Sequence, residues 1–84
     1  MCYYVYILQS QVDFSFYIGY TNNLDTRLNR HNSGRSRYTS KKAPWKIVYI
    51  ERFETKREAL LRERFLKKQR NREFYQNLID KQRG

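Results

Sequence analysis

At 84 residues the chain makes one small domain with no room for a second core, and its 17% aromatic share is well above that of a disordered segment. Eighteen Lys and Arg against eight acids give a formal charge of +10, a field that draws polyanions. No apolar run approaches the roughly 18 residues that span a bilayer, and neither a secretory signal nor an aromatic-anchored amphipathic helix stands out, so nucleic acid is the expected partner rather than a membrane.

Cys2 is the single cysteine, which excludes an internal disulfide and fits a reducing cytoplasm. Cys2 to Gln9 is rich in Tyr, Val, Ile and Leu on both alternating faces, the pattern of a central strand covered on both sides. After the polar break Ser10-Gln11-Val12-Asp13, Phe14 to Tyr20 alternates. Phe14, Phe16 and Ile18 share one face; Ser15, Tyr17 and Gly19 share the other. A four-residue hairpin loop closed by Gln9 and Phe14 sets Tyr6 directly opposite Tyr17.

Thr21-Asn22-Asn23 supplies N-cap chemistry for a helix from Leu24 to Asn32, which Gly34 closes. Ser33 to Pro44 is a polar, basic loop without periodicity. Trp45 to Phe53 is a third strand, with Trp45, Ile47, Tyr49 and Glu51 on one face and Val48 and Ile50 on the other. Thr55, with Glu58 as in a capping box, starts a helix near Lys56 that runs through Leu66 and bends near Gln69 to Asn71. A last basic helix, Arg72 to Asp80, packs Phe74, Tyr75, Leu78 and Ile79, and residues 81–84 form a frayed basic tail. The expected class is α/β of the α+β type: a three-stranded antiparallel sheet flanked by about three helices, in a single domain over residues 1–80.

Three residues break the packing pattern. Leu24, Arg27, Leu28 and His31 occupy the i, i+3, i+4 and i+7 stripe of the first helix, yet Arg27 and His31 are basic. Either Arg27 snorkels to the helix edge and His31 is a satisfied buried imidazole, or both face an anion. Glu63 lies in the apolar sector of the second long helix, between Ala59 and Leu66. An inward carboxylate is either paired with an Arg or holds a divalent cation together with waters and phosphate oxygens.

In this order and spacing the chain resembles a GIY-YIG nuclease domain, and more closely the small stand-alone bacterial proteins of that superfamily related to the excision-repair nuclease module. The second motif stands as Tyr17-Ile18-Gly19; the first reads Tyr4-Val5-Tyr6, without its glycine. Tyr20-Thr21, Leu24, Arg27, Leu28, His31-Asn32 and Gly34 match the first-helix pattern. Tyr38-Thr39, Pro44-Trp45, Ala59, Arg62-Glu63 and Leu66-Lys67 also fit, so the resemblance covers nearly the whole chain.

The resemblance implies hydrolysis of nucleic-acid phosphodiester bonds with one Mg²⁺ or Mn²⁺ and no small-molecule cofactor. Tyr6, Tyr17, Arg27, His31 and Glu63 are then the catalytic residues. Glu63 holds the metal, Arg27 clamps the phosphoryl group, Tyr6 is the general base assisted by His31, and Tyr17 orients water or metal. The expected activity is a DNA endonuclease of low sequence specificity, acting on branched, nicked or damaged structures in repair. The alternative is a non-catalytic binder of DNA or RNA on the same fold. Arg35, Arg37, Tyr38, Lys41, Lys42, Lys67, Lys68, Arg70 and Arg72 are the expected nucleic-acid contacts. An asparagine found near the C-terminus of several family members has no counterpart here; Tyr75 occupies that neighbourhood.

Overall fold

Strand β1 (Tyr3–Ser10) runs through the middle of a three-stranded antiparallel sheet, between β2 (Phe16–Thr21) and β3 (Trp45–Phe53). The computed structural model describes residues 2–34 and 37–83, except for the side chains of residues 37 and 38. Among the described residues the helices are α1 (Leu24–Asn32), the short α2 (Arg37–Ser40), α3 (Lys56–Gln69) and α4 (Arg72–Arg83). The α+β class and the antiparallel three-stranded sheet are as the sequence predicts.

The central strand is covered on both faces, which is why Val5, Tyr6, Ile7 and Leu8 are all buried in succession. Val5 and Ile7 join Ile18 and Tyr49 under Ala59 and Leu66 of α3 and Tyr75 and Ile79 of α4. On the opposite face Tyr6, Leu8 and Trp45 pack with Tyr17, Ile47 and the α1 residues Leu24 and Leu28.

Two details of the sheet differ from the sequence pattern. The β1–β2 register pairs Gln9 with Phe16 and Tyr6 with Gly19, so Leu8, not Tyr6, sits opposite Tyr17. The cause is the turn: Ser10 Oγ accepts the N–H groups of Val12 (3.1 Å) and Asp13 (3.3 Å), and Ser10 N–H donates to Ser15 O at 2.9 Å. That closes the loop at Ser10 and Ser15, one residue further along than Gln9 and Phe14, and so shifts the cross-strand register by two. A shift of two preserves the face, so Tyr6 and Tyr17 remain on the same side as diagonal neighbours.

In β3 a bulge opposite Ile7 and Leu8 changes the alternation. Trp45 and Ile47 stay on the α1 face, whereas Tyr49 swings to the α3 face. Glu51 accordingly meets α3 instead of solvent. Arg62 grips it with two bonds, Nε–H at 2.8 Å and Nη2–H at 3.0 Å, and the Tyr49 hydroxyl also donates to it.

Helix ends follow local chemistry. Asn23 caps α1 by accepting the Thr26 N–H at 3.1 Å, and Gly34 lies just beyond its C-cap at φ +80°. Thr55 caps α3 by accepting the Glu58 N–H at 3.2 Å. Helix α3 continues to Gln69 and stops at the left-handed Arg70, φ 45°. There Tyr75 Oη donates to Leu66 O at 2.6 Å and accepts the Arg70 N–H at 3.1 Å. Helix α4 extends past Asp80 to Arg83, where the Gln82 amide bonds both Ile50 N–H and Ile50 O on the β3 edge.

Candidate active site

The sheet face that carries Tyr6 and Tyr17 is roofed by α1, and the inward stripe of that helix supplies the polar groups. His31 is buried, at 2% exposure. Its Nε2 lies 3.3 Å from Tyr6 Oη and its Nδ1 lies 2.9 Å from Thr39 Oγ1. The Tyr17 and His31 rings meet edge-on at 4.8 Å between centroids. The expected satisfied imidazole and the expected site residue are therefore the same side chain.

The motif glycine has a direct steric reason. A Cβ on Gly19 would lie 2.5 Å from Tyr6 Oη and 2.7 Å from Tyr6 Cζ, closer than real Cβ contacts allow. The Tyr6 ring crosses the bare backbone of β2, and that crossing aims its hydroxyl at His31. Only a residue without a side chain leaves the path open.

Charge distribution sets the protonation states. Burial, and then the neighbouring Tyr17, push the Tyr6 phenol well above its ordinary value, outweighing the opposing influence of Arg27; Glu63 also acts to raise it. Tyr6 is therefore a neutral hydroxyl. Burial, with help from the positive charges of Arg27 and Arg30, lowers His31 below its usual value near 6.5, so its imidazole is neutral at pH 7. A neutral imidazole flanked by two hydroxyls can accept a proton at one nitrogen while the other donates.

Arg27 is half-buried, and its positive charge acts on Tyr6. It also lines a cleft of about 300 Å³ with Tyr3, Tyr20, Thr21, Asn22 and Lys56 at the end of the sheet. Glu63 reaches in from α3, 9% exposed, with Lys67 Nζ 3.7 Å from its carboxylate. Its ion-pair partner is thus an exposed lysine one turn on, not an arginine. Among the described residues no group of three or more His, Cys, Asp or Glu gathers as a metal cage. One nearly buried carboxylate suits a hard divalent cation that keeps waters and takes phosphate oxygens.

The structure brings Tyr6, Tyr17 and His31 into contact, and the charges of Arg27 and Glu63 act on the Tyr6 phenol from further off. The expected nucleic-acid contacts are less uniform. Lys41 and Lys68 are exposed, as is Arg70, whose left-handed backbone ends α3. Lys42 pairs with Asp13 at 3.3 Å, Lys67 faces Glu63, and Arg72 stacks over the Phe16 ring at 5.0 Å. Arg35 and the side chains of Arg37 and Tyr38 lie outside the described residues.

Thr39 is the residue that pattern reasoning passed over. It is fully buried, holds His31 Nδ1, and its carbonyl accepts the Trp45 indole N–H at 2.8 Å. It sits in the stretch expected to be an aperiodic loop, where no periodicity marks an inward position. Trp45 is a core residue, 3% exposed.

A family model described as the GIY-YIG catalytic domain matches residues 2–77. A UPF0213 protein of Clostridium perfringens is 52% identical over 66 residues, covering 77% of this chain and 70% of that protein. A UPF0213 protein of Bacillus licheniformis is 45% identical over 75 residues, covering 86% and 76% respectively. The solution NMR structure of a UPF0213 protein from Bacillus halodurans superposes with a TM-score of 0.57 at 36% identity, covering 95% of this chain and 84% of that one. With the two motif tyrosines, the packed glycine and the α1 arginine and histidine on one sheet face, the chain belongs to the GIY-YIG family.

Proposed function

We propose that this protein is a divalent-metal-dependent endonuclease that hydrolyses DNA phosphodiester bonds with low sequence specificity, on branched, nicked or damaged structures. The observation that carries the reading is the hydrogen-bond chain Tyr6–His31–Thr39, with the positive charge of Arg27 acting on its outer hydroxyl.

Glu63 would hold the Mg²⁺ or Mn²⁺, which when bound neutralises charge developing on the leaving oxygen. In the tautomer that this reading requires, His31 Nδ1–H donates to Thr39 Oγ1 and Nε2 is left bare. Tyr6 Oη receives a proton from the attacking water as its own passes to His31 Nε2. Burial holds Tyr6 neutral at rest, so the phenol depends on His31 Nε2 as the acceptor of its proton. Arg27 stabilises the phosphoryl oxygens, and Tyr17, packed edge-on against His31, orients the water.

One observation favours the rival, a nucleic-acid binder without catalysis: Tyr6 is only 2% exposed, which leaves its hydroxyl little access to water. Cleavage of labelled single-stranded, duplex and branched DNA with Mg²⁺ or Mn²⁺ separates the two. Arg27→Ala should lower the rate by about 10²–10³, and Glu63→Ala should abolish metal-dependent cutting while DNA affinity survives. Cutting that persists in both variants would sink the site assignment. Salt-sensitive binding with no cutting by the wild type would establish the binder.

A further inference from the structure

The cleft beside Arg27 contains chemistry that phosphodiester hydrolysis at Tyr6 does not use. Its walls combine two half-buried tyrosines, Tyr3 and Tyr20, with the cations of Arg27 and Lys56 and the polar rim of Thr21 and Asn22. Among the described residues neither Arg27 nor Lys56 forms an ion pair with a carboxylate. Arg27 belongs to both the cleft and the catalytic cluster, which makes the two continuous.

Aromatic rings beside two separated cations match one nucleotide: a base takes the rings and the flanking phosphates take the charges. The volume, about 300 Å³, is at the small end of ligand pockets, which run from roughly 300 to 1,000 Å³. That volume is of the size of a single nucleotide. A base inside a duplex has both faces covered by its neighbours, so it reaches an aromatic wall only when unpaired or extruded.

We infer that this cleft is a subsite for an unpaired nucleotide adjoining the scissile phosphate, with its base against Tyr3 and Tyr20 and its phosphate between Arg27 and Lys56. The substrate class is then nucleic acid with a single-stranded nucleotide next to the cut: a flap, a bulge or a free strand. This rests on the nuclease reading for the position of the cut, but the subsite itself is a binding property.

The test is binding in EDTA, where no cleavage occurs, with a thymidine pentanucleotide and a blunt duplex as probes. Amide shift mapping on the wild type should centre the pentanucleotide on Tyr3, Tyr20 and Asn22. Tyr20→Leu, which keeps apolar area and removes the ring, should weaken the pentanucleotide about tenfold and leave the duplex within about twofold. Lys56→Gln, at an exposed position, should lower the salt slope of single-strand binding by about one. Shifts centred elsewhere, equal losses on both probes, or no binding of the pentanucleotide by the wild type would overturn the subsite. If the pattern appears in a protein that never cuts DNA with metal, the subsite stands and the nuclease reading falls. Metal-dependent cutting that Tyr20→Leu leaves unchanged on single strands, with no shift at the cleft, has the opposite meaning.

Discussion

Gly19 and Tyr6 are one structural unit, because the ring occupies the space that any Cβ would need. Tyr6 is fully buried and cannot swing aside, so the contact cannot relax through an exposed tip. Gly19→Ala should cost about 1–3 kcal/mol in urea unfolding and misplace the Tyr6 hydroxyl relative to His31. A neutral result would mean that the ring has an alternative rotamer. His31 makes a second residue-scale prediction. Burial, Arg27 and Arg30 lower its folded value below 6.5, while the unfolded chain keeps the ordinary one. Between those values the unfolded chain binds more protons. The stability contribution is therefore complete above pH 6.5 and is lost as pH falls through the lower folded value. His31 is the only histidine in the chain, so no other imidazole confuses the window. The melting temperature should drop from pH 6.5 toward pH 5, and His31→Gln should flatten that drop. An unchanged slope in the variant would contradict a buried neutral imidazole.

At the scale of elements, the joint between β3 and α3 is ionic. Burial works against the Glu51 carboxylate, but hydrogen bonds from Arg62 and Tyr49 win, and its value lies below the ordinary range. Burial, and then the Glu51 bond, push Tyr49 up to about 12. The Arg62 and Glu51 side chains retain 31% and 19% of their exposure, so the pair is only partly screened. Arg62→Ala should destabilise by about 2 kcal/mol, since Glu51 is left half-buried and the contact of Arg62 with the Phe65 ring is lost as well. A double-mutant cycle with Glu51→Gln measures the coupling; a value near zero would make the clamp decorative. Arg62 immediately precedes Glu63, so the same clamp fixes the segment of α3 that presents the candidate metal carboxylate.

Across the whole molecule, the +10 charge predicts nucleic-acid binding that weakens steeply with salt. The internal pairings sort the contributors. Lys41→Gln and Lys68→Gln should each lower the slope of log K against log salt by about one. Lys42→Gln should lower it less, because Asp13 already offsets that charge. Fluorescence anisotropy over a salt series checks both, and equal effects from all three would show that the Asp13 pair opens on binding. No helix among the described residues is long and apolar enough to cross a membrane.

The strands, the long helices and their caps were legible from the chain because each is encoded by neighbours: alternation in β2, Asn23 and Thr55 as caps, Gly34 past the end of α1. Arg27, His31 and Glu63 were legible for a related reason, as polar groups on apolar stripes that local packing alone does not explain. The Tyr6–Gly19 crossing depended on a register that the Ser10 turn sets by hydrogen bonds, invisible to alternation. The Glu51–Arg62 clamp depended on a bulge in β3, which reverses the faces downstream of it. Thr39 depended on folding an aperiodic segment back over α1, and Gln82 on docking a helix end against a strand edge. Periodicity records which side of an element faces inward; register, bulges and loop closure are settled by contacts between residues far apart in the chain, and those contacts exist only once the sheet and helices have packed.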